Sequence, residues 1–398
     1  MDLRKRLANL DRLSKRNKMQ TANSNEAAAV DFETIEQSLF QLQLKSCSAS
    51  SPPVWTREYC EKFSFPWGNF PPLEGFFTRA GEASPHLEEI LFLDTETTGL
   101  AGGTGTIAFL VGVGWFRNKE YHSLQYFLPD FAHEQAMLVD LAVLSEKFKV
   151  VMTFNGASFD LPLLRTRALM NRMPDPCGSL VSWDLLVPGR RLWGRVFTNC
   201  RQQTLENGLL NVQRGPGDID GALIPQTWFD FLKTGDGEMM SRVLHHNQKD
   251  LVGMAGIFAH VLDKARCLKD YDPPLGQWKD AWALGKIAEK ARLQDFAAVW
   301  MQRAATASTN NAEGGFADPR FVADAIRLMK RQGNWLQVQA VIDNAFESGR
   351  DEPWLHREAA ILYEHRLFCL PRALAHARQC DEPQRVLRLE NKIQKIKG

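Results

Sequence analysis

No run of apolar residues approaches the ~20 that a bilayer span requires. The opening MDLRKRLANL carries charge where a secretory leader carries an apolar core. Both absences point to a cytoplasmic protein with no membrane contact. Cysteine is sparse: seven in 398 residues, odd in number and without a C-x-x-C pair. That argues against a disulfide scaffold or a zinc ribbon and fits a reducing compartment. Net charge is almost missing too, with 48 Lys plus Arg against 47 Asp plus Glu. A uniformly basic nucleic-acid coat and an acidic solvating tail are excluded, whereas a local basic surface is not. Gly102-Gly103-Thr104-Gly105 lacks the G-x-G-x-x-G spacing and leads into a strand-like run, which speaks against a dinucleotide fold.

What is there divides into three. Residues 1–84 read as an accessory region. Within it, residues 1–18 are rich in Lys and Arg, with Leu3, Leu7, Leu10 and Leu13 at helical spacing. Residues 19–35 read as a polar linker, and residues 47–74 as a Pro-rich irregular segment. Residues 85–268 read as an α/β domain. Strand-like runs lie at 89–94, 107–116, 121–128, 149–154 and 180–183, interrupted by helical stretches at 133–148 and 160–172. A long helix over about 238–262 closes this domain. The expectation is a mixed sheet of five strands. Residues 275–398 show only helical periodicity, in three pairs about 35–40 residues apart. That pattern fits tetratricopeptide-like repeats or one irregular bundle.

Three motifs carry chemistry. The first is Asp94-Thr95-Glu96, at the end of the first strand of the domain. Residues two apart on a strand face one side, so Asp94 and Glu96 aim two carboxylates together. A divalent cation such as Mg²⁺ or Mn²⁺ offsets that repulsion, although D-x-E also describes a solvated strand end. The second is Asn155-Gly156-Ala157-Ser158-Phe159-Asp160, between a strand and a helix. Alone, Asp160 is better explained as a helix N-terminal acid than as a ligand. The third is His245-His246-Asn247-Gln248-Lys249-Asp250. His246 and Asp250 share a helical face, whereas His245 lies about 140° from Asp250 in a regular helix. An unbroken helix selects His246, and a loop before Asn247 would let His245 take its place.

Four acids and a histidine in this order resemble the DEDD exonucleases of the ribonuclease H-like superfamily. Trp183-Asp184-Leu185-Leu186, Arg190-Arg191-Leu192-Trp193, Gln203-Thr204-Leu205-Glu206, Ile224-Pro225 and His246-Asn247-x-x-Asp250-Leu251 narrow the likeness to the YprB-type domain. In that family, tetratricopeptide-like repeats often follow. The resemblance implies a ribonuclease H-like fold and 3′-5′ exonuclease activity on single-stranded DNA or RNA. It implies two divalent cations, Mg²⁺ or Mn²⁺, held by Asp94, Glu96, Asp160 and Asp250. His246 is then the general base, with His245 as the alternative, and Asn155 and Phe159 line the entrance for a nucleic-acid end. Arg190, Arg191, Arg195, Arg201 and Arg214, interleaved with Trp193 and Phe197, read as a backbone-contacting strip or as an ordinary basic loop. The helical pairs leave room for a protein partner. The competing reading is a nucleic-acid-binding or protein-interaction scaffold whose domain is weakly active or inactive.

Overall fold

A computed structural model describes residues 32–47, 51–65, 70–71, 73, 75–77, 84–99, 104–215, 217–269, 278–309 and 319–397. The basic amphipathic stretch at 1–18 lies outside them. The centre is one mixed sheet whose strands run β1 (Lys45–Cys47), β2 (Val54–Lys62), β3 (Ile90–Thr97), β4 (Ala108–Arg117), β5 (Glu120–Phe127), β6 (Val150–Thr153) and β7 (Val181–Asp184). Their spatial order is β1-β2-β5-β4-β3-β6-β7. The sheet therefore has seven strands, not five. Both extra strands come from the segment read as accessory. β2 escaped notice because Arg57, Glu58, Glu61 and Lys62 break its apolar alternation; it lies near a partly solvated edge, where charge is tolerated. The stretch read as linker also ends early, since helix α1 (Phe32–Gln41) begins inside it.

β4 and β5 form a hairpin whose turn residues, Asn118 and Lys119, both take positive φ (52° and 64°). That is the twist a two-residue hairpin requires. β3, β6 and β7 run parallel, so their carboxyl ends share one edge of the sheet. β3 is buried on both faces. Ile90 and Phe92 join a core with Phe116, Leu251 and Phe258, while Leu91 and Leu93 join another with Phe109, Leu164 and Trp228. Each fully buried aliphatic or Phe side chain contributes about 1.5–3 kcal/mol.

Helix α2 (Glu134–Ser145) leads from β5 into β6, α3 (Asp160–Met170) links β6 to β7, and α4 (Leu186–Trp193) follows β7. The short α5 (Gln202–Leu205) leads into a π turn at Glu206–Leu210. α6 (Ile224–Thr234) precedes α7 (Glu238–Cys267), an unbroken 30-residue helix across the first face of the sheet. Gly114 of β4 lets Tyr121 cross beneath α7, where its hydroxyl donates to the Leu251 carbonyl at 3.1 Å.

Among the described residues, three helical hairpins and a further helix follow. They are α8 (Trp278–Lys290) with α9 (Gln294–Thr309), α10 (Pro319–Arg331) with α11 (Trp335–Glu347), α12 (Pro353–His365) with α13 (Leu370–Ala377), and α14 (Pro383–Lys397). Their core is continuous with that beneath α7: Leu262, Ala265, Leu284 and Ile287 belong to one cluster. Trp300 Nε1 donates to the Leu268 carbonyl at 3.0 Å. Among the described residues, no helix is long and apolar enough to cross a membrane.

Candidate metal centre

The alternation of β3 decides which side each acid faces. Asp94 and Glu96 continue the face of Ile90 and Phe92, towards α7, while Thr95 continues the face of Leu93, towards α3. α7 supplies His246, Asn247 and Asp250 above the first face. Ligand atoms of Glu96, His246 and Asp250 all lie within 4.8 Å of one another. Asp94 sits beside them, its Oδ2 accepting from Asn247 Nδ2 at 2.8 Å. Asp160 approaches from the other side. Its carboxylate takes the Thr95 hydroxyl, and it folds back over Gly156, where a Cβ would collide with Asp160 Oδ2. The fold thus gathers Asp94, Glu96, His246 and Asp250 directly and brings Asp160 to the same strand end from behind.

Because α7 is unbroken, His246 is the histidine turned inward: it is buried, whereas His245 is exposed. His246 Nδ1 lies 2.9 Å from Asp218 Oδ1. A carboxylate accepts only, so Nδ1–H donates to Asp218, and Nε2 lies 3.3 Å from Asp250 Oδ2. An unprotonated Nε2 at that distance would be repelled by the carboxylate, so a proton or a cation belongs between them. The carboxylate oxygens of Asp94, Glu96 and Asp250 fit a hard divalent metal such as Mg²⁺ or Mn²⁺, with Nε2 beside them.

The electrostatics agree. Asp94 is pushed well above the ordinary carboxylate range by burial, then by Asp250, Glu96 and Asp160. Glu96 is raised likewise by burial, then by Asp250 and Asp160. Burial lifts Asp160 to about 6, against the lowering hydrogen bond from Thr95. Four acids of one sign share too little water, which makes the edge a site that cations relieve.

Several supporting residues were not singled out from the sequence. Asn247 is fully buried, and its Oδ1 accepts from Gln125 Nε2 at 2.9 Å, which fixes the amide so that its NH₂ meets Asp94. Gly112, paired with Asp94 across the ladder, makes room: a Cβ there would overlap Asn247 Oδ1. Arg214, read as part of a surface strip, instead turns inward. It grips Glu206 through two nitrogens at 2.9 and 3.0 Å and donates to Asp250 Oδ1. Gly253 lets Glu206 approach α7. Gln202 Nε2 donates to the Asp250 carbonyl at 2.7 Å. Asp184 accepts from the backbone N–H of Asn155 (2.7 Å) and of Leu186 (2.9 Å), and so pins the turn before Asp160. Asn155 holds that turn with φ 66°, and Phe159 stands 60% exposed at its end.

The remaining members of the arginine strip are distributed differently. Arg190 is exposed, whereas Arg191 donates to the carbonyls of Gly75 and of Phe76, the latter at 3.2 Å. Arg195 lies over Trp282 of α8, 4.5 Å from the ring centroid. Trp193 is core, not a stacking platform.

Residues 91–262 match the model of the RNase_H superfamily. This segment is a ribonuclease H-like domain. A curated relative, the "Uncharacterized protein YprB" of Bacillus subtilis (strain 168), is 33% identical over 178 residues, or 44% of this chain. The match spans 42% of that relative, less than half its length. Among solved structures, the family B DNA polymerase from the hyperthermophilic archaeon Pyrobaculum calidifontis aligns with a TM-score of 0.36 at 14% identity. That alignment covers 56% of this chain and 30% of that one. The ribonuclease H-like domain carries the acid centre at the carboxyl edge of its parallel strands, where open α/β sheets place their ligands.

Proposed function

We propose that the protein is a metal-dependent 3′-5′ exonuclease acting on single-stranded nucleic acid. The observation that carries this reading is the convergence of Glu96, His246 and Asp250 within 4.8 Å, beside Asp94, on a ribonuclease H-like domain. Asp94, Glu96, Asp160 and Asp250 would hold two divalent cations, Mg²⁺ or Mn²⁺. When bound, these supply electrostatic stabilisation of the charge that builds on the attacking and leaving oxygens. His246, its Nδ1–H held by Asp218, accepts a proton from the attacking water at Nε2. His245, turned outward, is the weaker candidate for that role. Phe159 and the Asn155 turn bound the place where a strand end would lie. The helical hairpins are read as tetratricopeptide-like.

A second reading draws on Arg214. Its guanidinium already neutralises Asp250, which favours a binding scaffold with a weakly active or inactive domain. The test is incubation of the full chain with Mg²⁺ or Mn²⁺ and single strands labelled at either end. Stepwise shortening from the 3′ end, abolished by EDTA and by Asp94→Asn, is expected. Internal cuts would overturn the exonuclease assignment. Intact strands, with no rise in melting temperature on adding metal, would favour the scaffold.

A further inference from the structure

Between the ribonuclease H-like domain and the helical region lie two clefts of about 700 and 690 Å³. Arg191 and Lys290 line both, so the clefts form one groove. One wall is α4, with Arg190, Arg191 and, just beyond it, Arg195. The other is α8 and the turn after it, with Lys286, Lys290 and Arg292. The carboxylates among the described lining residues are Asp184 and Glu289. Both are spent: Asp184 on backbone N–H groups, Glu289 on Lys286 at 2.7 Å and on Arg331. Arg190, Lys290 and Arg292 are exposed, and none has an acid partner among the described residues. Three exposed cations lining one groove make it attractive to anions.

The groove also has a direction. One end is lined by Ala157, Ser182, Trp183 and Asp184, at the carboxyl ends of β6 and β7. The acid centre lies at the same sheet edge, at the end of neighbouring β3. A strand whose terminus sits among Asp94, Glu96 and Asp250 would cross the Asn155–Asp160 turn and enter the groove next. Each cleft has the volume of a small-ligand site, which suits a single chain of nucleotides rather than a duplex.

We propose that this groove binds the phosphate backbone of a single-stranded nucleic acid whose end lies at the acid centre. The helical region is thereby the second wall of the substrate channel. This deepens the nuclease reading and rests on it for the position of the strand end. The cations act as phosphate contacts, indifferent to base sequence.

The test uses the full chain in EDTA and a fluorescent single strand of about 20 nucleotides, so that binding is read without catalysis. Lys290→Glu with Arg292→Glu is expected to weaken binding at least about tenfold. The milder Lys290→Ala with Arg292→Ala should lower the slope of log Kd against log salt by about 1.4, two single-strand phosphate contacts at about 0.7 each. Both pairs should melt as the wild type does, and neither should change metal-dependent turnover of bis(p-nitrophenyl) phosphate. Unchanged affinity and salt slope in a folded variant overturn the groove. So does equal affinity for a duplex of the same length, or equal loss of small-substrate turnover. A wild type that turns over no phosphodiester, yet binds the strand in a Lys290- and Arg292-dependent way, fails the nuclease reading and upholds the groove.

Discussion

Glu364 in α12 and Asp94 at the end of β3 are carboxylates withdrawn from water, and their surroundings push them in opposite directions. Burial raises Glu364, but hydrogen bonds from Lys392 and Arg388, each at 2.8 Å, and the charges of His365 and Arg388 overcome it and hold the group down at about 2. Asp94 meets further acids instead and is driven up. The first is charge used to bind α12 to α14. The second is charge assembled with more acids than the single Arg214 can neutralise, which costs stability unless something from outside supplies a counterion. Burial alone does not separate a structural acid from a site acid; the sign of what faces it does.

The largest test of this contrast is on chemistry. His246→Ala should lower turnover by about 10²- to 10³-fold, as removal of a general base does, with little change in melting temperature. A retained rate would remove His246 from the reaction. The next effect is structural. Glu364→Gln should cost about 2 kcal/mol by weakening charged hydrogen bonds in the helical region, and leave small-substrate turnover intact. A denaturant titration with an unchanged midpoint would refute it. Asp94→Asn should run the other way, raising the metal-free stability by up to about 1 kcal/mol while removing activity, because it relieves a repulsion. A strongly destabilised variant would show that Asp94 is held by its neighbours after all.

pH sharpens the same contrast. Asp160 titrates at about 6 in the fold against an ordinary value of 3.8, so the folded state holds a proton that the unfolded chain has lost. The contribution of Asp160 to metal-free stability therefore falls as pH rises from about 4 to about 6. Glu364, depressed from 4.5 to about 2, contributes stability above its unfolded value and loses it as pH falls through that window. Melting curves of Asp160→Asn and Glu364→Gln against wild type, from acid to neutral pH without metal, should diverge in opposite directions. The smallest effect is expected from His245→Ala: turnover within about twofold of wild type, since the side chain faces away from the acids.

Much of the centre was legible because it depends on short spacings. Asp94 and Glu96 are two apart on a strand, and His246 and Asp250 four apart on a helix; periodicity alone orients both pairs. Arg214 was not legible. It meets Asp250 from 36 residues away, out of a loop whose basic composition looks the same whether its side chains face solvent or core. Asp218 was hidden for the same reason. β1 and β2 were missed because pairing with β5 is a long-range event, and the charges along β2 conceal its pattern. Of the arginines read as one surface strip, Arg191 and Arg195 hold neighbouring segments in place. Only the third dimension distinguishes them from Arg190.

Gly112 has no functional group, yet its missing side chain is the space in which Asn247 reaches Asp94. In a saturation-mutagenesis survey scored by activity, position 112 should therefore be as intolerant as position 94. Even alanine should fail there, in a protein that still folds well enough to be counted. A survey scored by abundance would pass over it, and the difference between the two maps would trace the outline of the centre through a residue with no chemistry of its own.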